Sequence, residues 1–156
     1  TLFRSPDVYD GRSVAALGIA CHEAGHAVQH ASGYTPLKVR SALVPAMAVS
    51  NLSVYVIIIG FFLMAVQPVL GKVVATVGLI LFGLIFFFQA VTLPVEFDAS
   101  NRAKEMLPQM GMISSPNEQK GVNAVLDAAA MTYIAAAAAT LLQLAYFAYL
   151  IFGQRR

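Results

Sequence analysis

The sequence predicts an all-α membrane protein, and three observations carry that prediction. Of its 156 residues, 58% are hydrophobic and 12% charged, which is too apolar for an ordinary soluble fold. The charges are also clustered, so that residues 41–71, 73–95 and 128–153 contain none. Each of these windows exceeds the roughly 20 residues that cross a bilayer core as a helix. Finally, apolar and small residues between positions 14 and 31 recur at helical rather than strand spacing.

Residues 1–10 contain Pro6 and lead into Tyr9-Asp10-Gly11, which predicts a short extended segment followed by a turn. Ser13 can cap a helix running from Val14 to about Ala31, in which Ala16, Ile19, Ala20, Glu23, Ala27 and His30 are periodic; Ser32-Gly33 supplies the stop. After a short basic lead-in at residues 37–40, Pro45, Ser50, Asn51 and Ser53 interrupt an apolar run that begins at Leu43. The first span therefore centres on residues 54–66, its earlier part interfacial or kinked because a proline removes a backbone bond. Residues 67–72, with Pro68 and Gly71, are expected to form the tight loop of a hairpin whose second span is 73–93. Thr92-Leu93-Pro94 opens a new or continued helix through Glu96, Ser100 and Ala103 to about Leu107. A polar linker over 108–117 precedes one long helix, 118–152, whose later part is the third span.

The net charge of +2 identifies no partner, and no basic cluster interleaved with aromatics points to nucleic acid, which is set aside. A single cysteine, Cys21, can form no internal disulfide, so the fold does not depend on an oxidising compartment. Because the sequence begins at Thr1 without a basic-then-apolar leader, the chain is expected to be N-terminally truncated, with targeting information upstream.

Within the first helix, His22-Glu23-Ala24-Gly25-His26 fits the pattern H-E-x-x-H. Histidines four residues apart project from one helix face and can bind a single zinc ion through neutral imidazoles. Glu23, between them, can act as general base towards a water whose pKa the metal lowers.

A catalytic zinc site takes three protein ligands and keeps one position open. His30 is the nearest further candidate, but His22 and His30 stand about 12 Å apart along a helix axis, too far for one ion. Nor does a glycine at position 29 break the helix, as the metzincin pattern requires. Glu96 is favoured on topology: two spans separate it from His26, and an even number of crossings returns the chain to the same membrane face. An unpaired carboxylate just beyond a lipid-buried stretch would also be costly. Asp98 is the rival. Ser100, one turn beyond Glu96, can hydrogen-bond a ligand histidine and fix its ring. Tyr133 can donate to an oxyanion, or serve as an interfacial anchor. Cys21 points away from the metal face and is expected in the core.

Three separated blocks, Ala20-Cys21-His22-Glu23-Ala24-Gly25-His26-Ala27-Val28-Gln29, Val91-Thr92-Leu93-Pro94-Val95-Glu96-Phe97-Asp98-Ala99-Ser100 and Val125-Leu126-Asp127-Ala128-Ala129-Ala130-Met131-Thr132-Tyr133, resemble the YugP-like neutral zinc metallopeptidases of bacteria. The resemblance covers about residues 8–152, and it implies one zinc ion held by His22, His26 and Glu96 with Glu23 as base. Members of that family usually carry a further N-terminal region with a membrane span. The layout is also similar to the HtpX and CAAX-prenyl protease group, in which an aspartate typically follows the glutamate by four residues; here that position is Ser100.

The whole chain, 1–156, is thus expected to form one membrane metallopeptidase domain: a zinc-helix region (1–40), a transmembrane hairpin (43–93), a third-ligand helix with linker (94–127) and a third transmembrane helix (128–153). The expected activity is hydrolysis of peptide bonds in a polypeptide substrate, which can itself be a membrane protein, at a site on the membrane surface. The alternative is a non-catalytic membrane protein with a structural zinc site, for which a closed set of four ligands would be expected. A transporter is disfavoured because the spans hold almost no ionisable groups. Arg4, Arg12, Lys38, Arg40, Arg102, Lys104 and Lys120 on the catalytic side outnumber Lys72, Arg155 and Arg156 on the other, so the positive-inside rule leans towards a cytoplasmic active site in a bacterial plasma membrane.

Overall fold

The computed structural model describes residues 10, 11 and 13–153, and the extended segment expected over residues 1–9 lies outside them. Among the described residues five helices follow one another: α1 (Val14–Ala31), α2 (Thr35–Ser50), α3 (Ser53–Val66), α4 (Pro68–Gln109) and α5 (Pro116–Phe152). Among the described residues there is no strand. Three helical stretches among these residues are long and apolar enough to cross a membrane: Thr35–Val66 taken together, Pro68–Gln109 and Pro116–Phe152. The all-α fold with membrane-crossing helices is the one the sequence predicts.

Local chemistry sets the helix ends. Ser13 caps α1, its hydroxyl accepting from the Ala16 amide at 3.1 Å. At the other end Gly33 takes a left-handed φ of 67°, and the Gly33 and Tyr34 amides donate back to the His30 and Gln29 carbonyls, closing a Schellman motif. Gly111 repeats it after α4, with φ 66° and bonds from Gly111 to Pro108 and from Met112 to Leu107. α5 opens two residues before the expected Glu118: Ser115 and Glu118 bond each other's backbone reciprocally around Pro116, a capping box.

Two boundaries differ from expectation. The loop expected over 67–72 is confined to Gln67, because Pro68 needs no N–H partner in a first helical turn and starts α4 at once. Pro94 then lies inside α4, so the stretch bearing Glu96 continues the second span. The polar interruption near Asn51 separates α2 from α3.

The chain forms two compact units, one made of residues up to Lys38 with Thr92–Ile134, the other of Val39–Val91 with residues from Ala135 onward. In the first, Cys21, Ala103, Leu107, Val122 and Leu126 make a core to which Val14, Leu17 and Ile113 pack. α1 runs antiparallel to the end of α4 and so close to it that a Cβ on Gly25 would meet the Ala99 carbonyl oxygen at 2.6 Å. In the second unit α3 and the start of α4 form an antiparallel hairpin in which Gly60 faces Ala75, Gly71 faces Met64 and Gly78 faces Ile57. Large apolar side chains cover its outside, with Phe62 76%, Val69 82% and Ile80 63% exposed, a surface suited to lipid rather than water.

Candidate metal centre

Of the sequence's candidate site residues, the structure brings His22, His26 and Glu96 together from α1 and α4. One donor atom of each lies within 4.8 Å of the others. Both imidazoles turn Nε2 towards Glu96 Oε2, at 3.2 Å from His22 and 3.6 Å from His26. Two ligands bound to one tetrahedral zinc at about 2 Å are separated by roughly 3.3 Å, so these distances fit a shared zinc ion. The donor set, two imidazoles and a carboxylate, is also zinc's own chemistry.

The backbone makes this convergence possible at Gly25. Any larger residue between the two histidines would push α1 away from Ala99 and carry His22 and His26 off Glu96. Glu96 itself is 3% exposed, whereas the imidazoles are partly open to solvent. The neighbouring Glu96 carboxylate is the main cause that raises the His26 pKa above its ordinary value, against the lowering effect of burial.

Around the three donors lies a set of polar contacts. His22 Nδ1 is 3.1 Å from Ser100 Oγ, the contact anticipated one turn beyond Glu96. His26 Nδ1 is 2.9 Å from Gln29 Oε1, and Gln29 Nε2 donates to the Val95 carbonyl at 2.7 Å and to Asp98 Oδ2 at 2.8 Å. Arg102 Nε in turn donates to Asp98 Oδ2 at 2.6 Å.

Asp98, the rival ligand, thus sits behind the histidines with Gln29 and Arg102 and is not among the three clustered donors. His30 is exposed on the last turn of α1 and is likewise outside the cluster. Glu23 is half-buried next to His22, and its charge adds to the raising of the His26 pKa. Tyr133 is 38% exposed on the same face of α5 as buried Leu126 and Ala130. Cys21 is in the core, as expected, where burial pushes its thiol pKa up.

Gln29 was missed by reasoning from the sequence, although two signals pointed to it. It follows His26 by three residues, on the same helix face, and an uncharged amide there has no reason to be apolar-facing unless it is bonded.

Comparison with known proteins also points to zinc. The family model described as "Putative neutral zinc metallopeptidase" matches residues 1–152. The "Putative membrane protease YugP" of Bacillus subtilis (strain 168) is 40% identical over 151 residues, which are 97% of this chain and 64% of that protein, so the chain spans less than two thirds of its relative's length. No solved structure matches. The match over nearly the whole chain, together with a zinc-type donor set in a protein with membrane-crossing helices, leads to one conclusion: the chain belongs to the neutral zinc metallopeptidase family.

Proposed function

We propose that the chain is the catalytic part of a membrane-embedded, zinc-dependent endopeptidase. The observation that carries this reading is the meeting of His22, His26 and Glu96, with positions 22 and 96 74 residues apart in sequence, beside an acid at Glu23. His22 Nε2, His26 Nε2 and Glu96 Oε2 would hold one zinc ion. When bound, zinc polarises the scissile carbonyl and makes an attacking water more acidic. Glu23 takes a proton from that water onto its carboxylate and passes it to the departing amide nitrogen. The phenol of Tyr133 donates to the carbonyl oxygen as negative charge grows there. Packing supports this role, because Val14 lies beside Gly121 and Gly18 beside Leu126, a parallel register whose continuation would bring Tyr133 to the height of His26.

The site is read as lying at the membrane surface, since α1 is not one of the three helical stretches apolar enough to span. Its substrates would then be polypeptides reaching that surface, membrane proteins included. The distribution of lysine and arginine supports a cytoplasmic orientation. On this reading residues 1–156 act as one metallopeptidase domain.

The test compares the full-length wild type with Glu23→Gln in nanodiscs. Both are expected to bind one zinc ion per chain, and the variant to cleave an unfolded polypeptide about 10²- to 10⁴-fold more slowly. Equal cleavage by zinc-loaded wild type and variant would overturn the mechanism.

A further inference from the structure

Gln29 is fully buried in α1, and the chemistry of its neighbours fixes which way its amide points. Nε2 faces the Val95 carbonyl at 2.7 Å and Asp98 Oδ2 at 2.8 Å. Both are acceptors only, and turning the amide over would set its oxygen against two oxygens. Asp98 cannot readily swing away, because Arg102 Nε holds the same oxygen at 2.6 Å. Gln29 Oε1 must therefore be the atom 2.9 Å from His26 Nδ1. A carbonyl oxygen only accepts, so Nδ1 must carry the hydrogen, which leaves Nε2 as the lone-pair nitrogen on the side of Glu96.

His22 is held differently. Its Nδ1 faces a serine hydroxyl at 3.1 Å, which can donate or accept and imposes no tautomer.

We propose that Gln29 is a positioning residue that locks His26 in the Nδ1–H tautomer, its carboxamide fixed by Val95 and by an Asp98 carboxylate that Arg102 braces. The proposal rests on the reading of His26 as a zinc ligand. It gives Asp98 a role behind the metal rather than on it. A ring already in the binding tautomer and orientation loses less free energy on taking the ion, so the relay raises metal affinity without touching the metal.

The experiment uses the full chain in micelles with ¹⁵N-labelled histidine. The tautomer is read by long-range ¹H–¹⁵N correlation in the zinc-free protein, at a pH where imidazole is neutral, and zinc affinity by chelator competition. Wild-type His26 is expected to be all Nδ1–H. Gln29→Leu should mix in the Nε2–H form and weaken zinc binding about 10- to 100-fold, with one zinc per chain still bound at saturation. Gln29→Met, unbranched and similar in length, removes the same acceptor and should bring the same two changes. It decides the matter if Gln29→Leu fails to fold.

An unchanged tautomer with zinc affinity within about twofold in Gln29→Leu or Gln29→Met would overturn the proposal. His26→Ala separates the two possible failures. If it binds zinc like wild type, the ligand reading itself is wrong; if it loses zinc while Gln29→Leu changes nothing, only the role of Gln29 is.

Discussion

Between α1 and the end of α4 the close approach of Gly25 to Ala99 is joined by polar contacts, of His22 with Ser100 and Glu96 and of Gln29 with Val95 and Asp98. Between α3 and the start of α4 the contacts are steric, with Gly60, Gly71 and Gly78 letting two backbones touch. Further along the second unit the α4–α5 contacts are Phe82 edge-on to Phe147 and Lys72 over Phe152, and the unit's sequence holds no aspartate or glutamate. The contrast is what different solvents around the two regions would produce. In lipid, burying apolar side chains gains little because the tails are equally apolar, so helices associate through close backbone packing at small residues. In water an apolar core such as that around Leu107 and Leu126 drives folding, and a buried polar network can be built onto it. All the acids among the described residues, and with them the candidate metal ligands, lie in the unit with the aqueous style of packing.

The largest effect that would test this contrast is removal of the shared carboxylate. Glu96→Ala is expected to abolish stoichiometric zinc binding, measured by metal analysis after dialysis, because both Nε2 atoms converge on that one oxygen. Asp98→Ala should only weaken binding, and His30→Ala should leave it unchanged. Zinc lost from the Asp98 or His30 variants but kept by Glu96→Ala would reverse the ligand assignment.

Next in size are two equal insertions, one methyl group in each region. On Gly25 a Cβ would stand 2.6 Å from the Ala99 oxygen, and on Gly78 it would stand 2.7 Å from Ile57. Each is overpacked and should cost about 1–3 kcal/mol of stability, read by unfolding in a denaturing detergent. Gly25→Ala should also lower zinc affinity, because it moves the histidines off Glu96, whereas Gly78→Ala should not. A zinc affinity that fell equally in both variants would show that the two regions do not behave independently.

How far the sequence foretold these features depends on the range of the forces involved. Helix α1 was legible from Ser13 to Gly33 because capping and the left-handed stop are local. Uncharged windows announced the spans, since hydrocarbon thickness alone sets their length. Glu96 was accessible through the parity of membrane crossings, an argument that needs no side-chain detail. The Gln67 turn and the start of α5 at Pro116 were misplaced by a few residues, where a proline was read as a loop residue instead of a helix initiator. Gln29 was missed because its role depends on Val95 and Asp98, more than sixty positions away. Gly25 was seen only as a variable position in the motif, and its contact with Ala99 appears only when two helices are placed side by side.

The smallest effect concerns the ion pair between Lys104 on α4 and Asp127 on α5, which lies in the polar region yet is expected to contribute little. Asp127 is 65% exposed, so the pair is largely hydrated, and salt screens it readily. The same two helices are already joined by Leu107, Val122 and Leu126 beneath it. Lys104→Met should therefore change stability by less than about 1 kcal/mol and leave zinc affinity intact. Raising the salt concentration should remove even that difference between variant and wild type. A larger loss would mean that charge, rather than the apolar core, holds α5 against α4, and the aqueous region would then owe its stability to the same polar contacts that build its site.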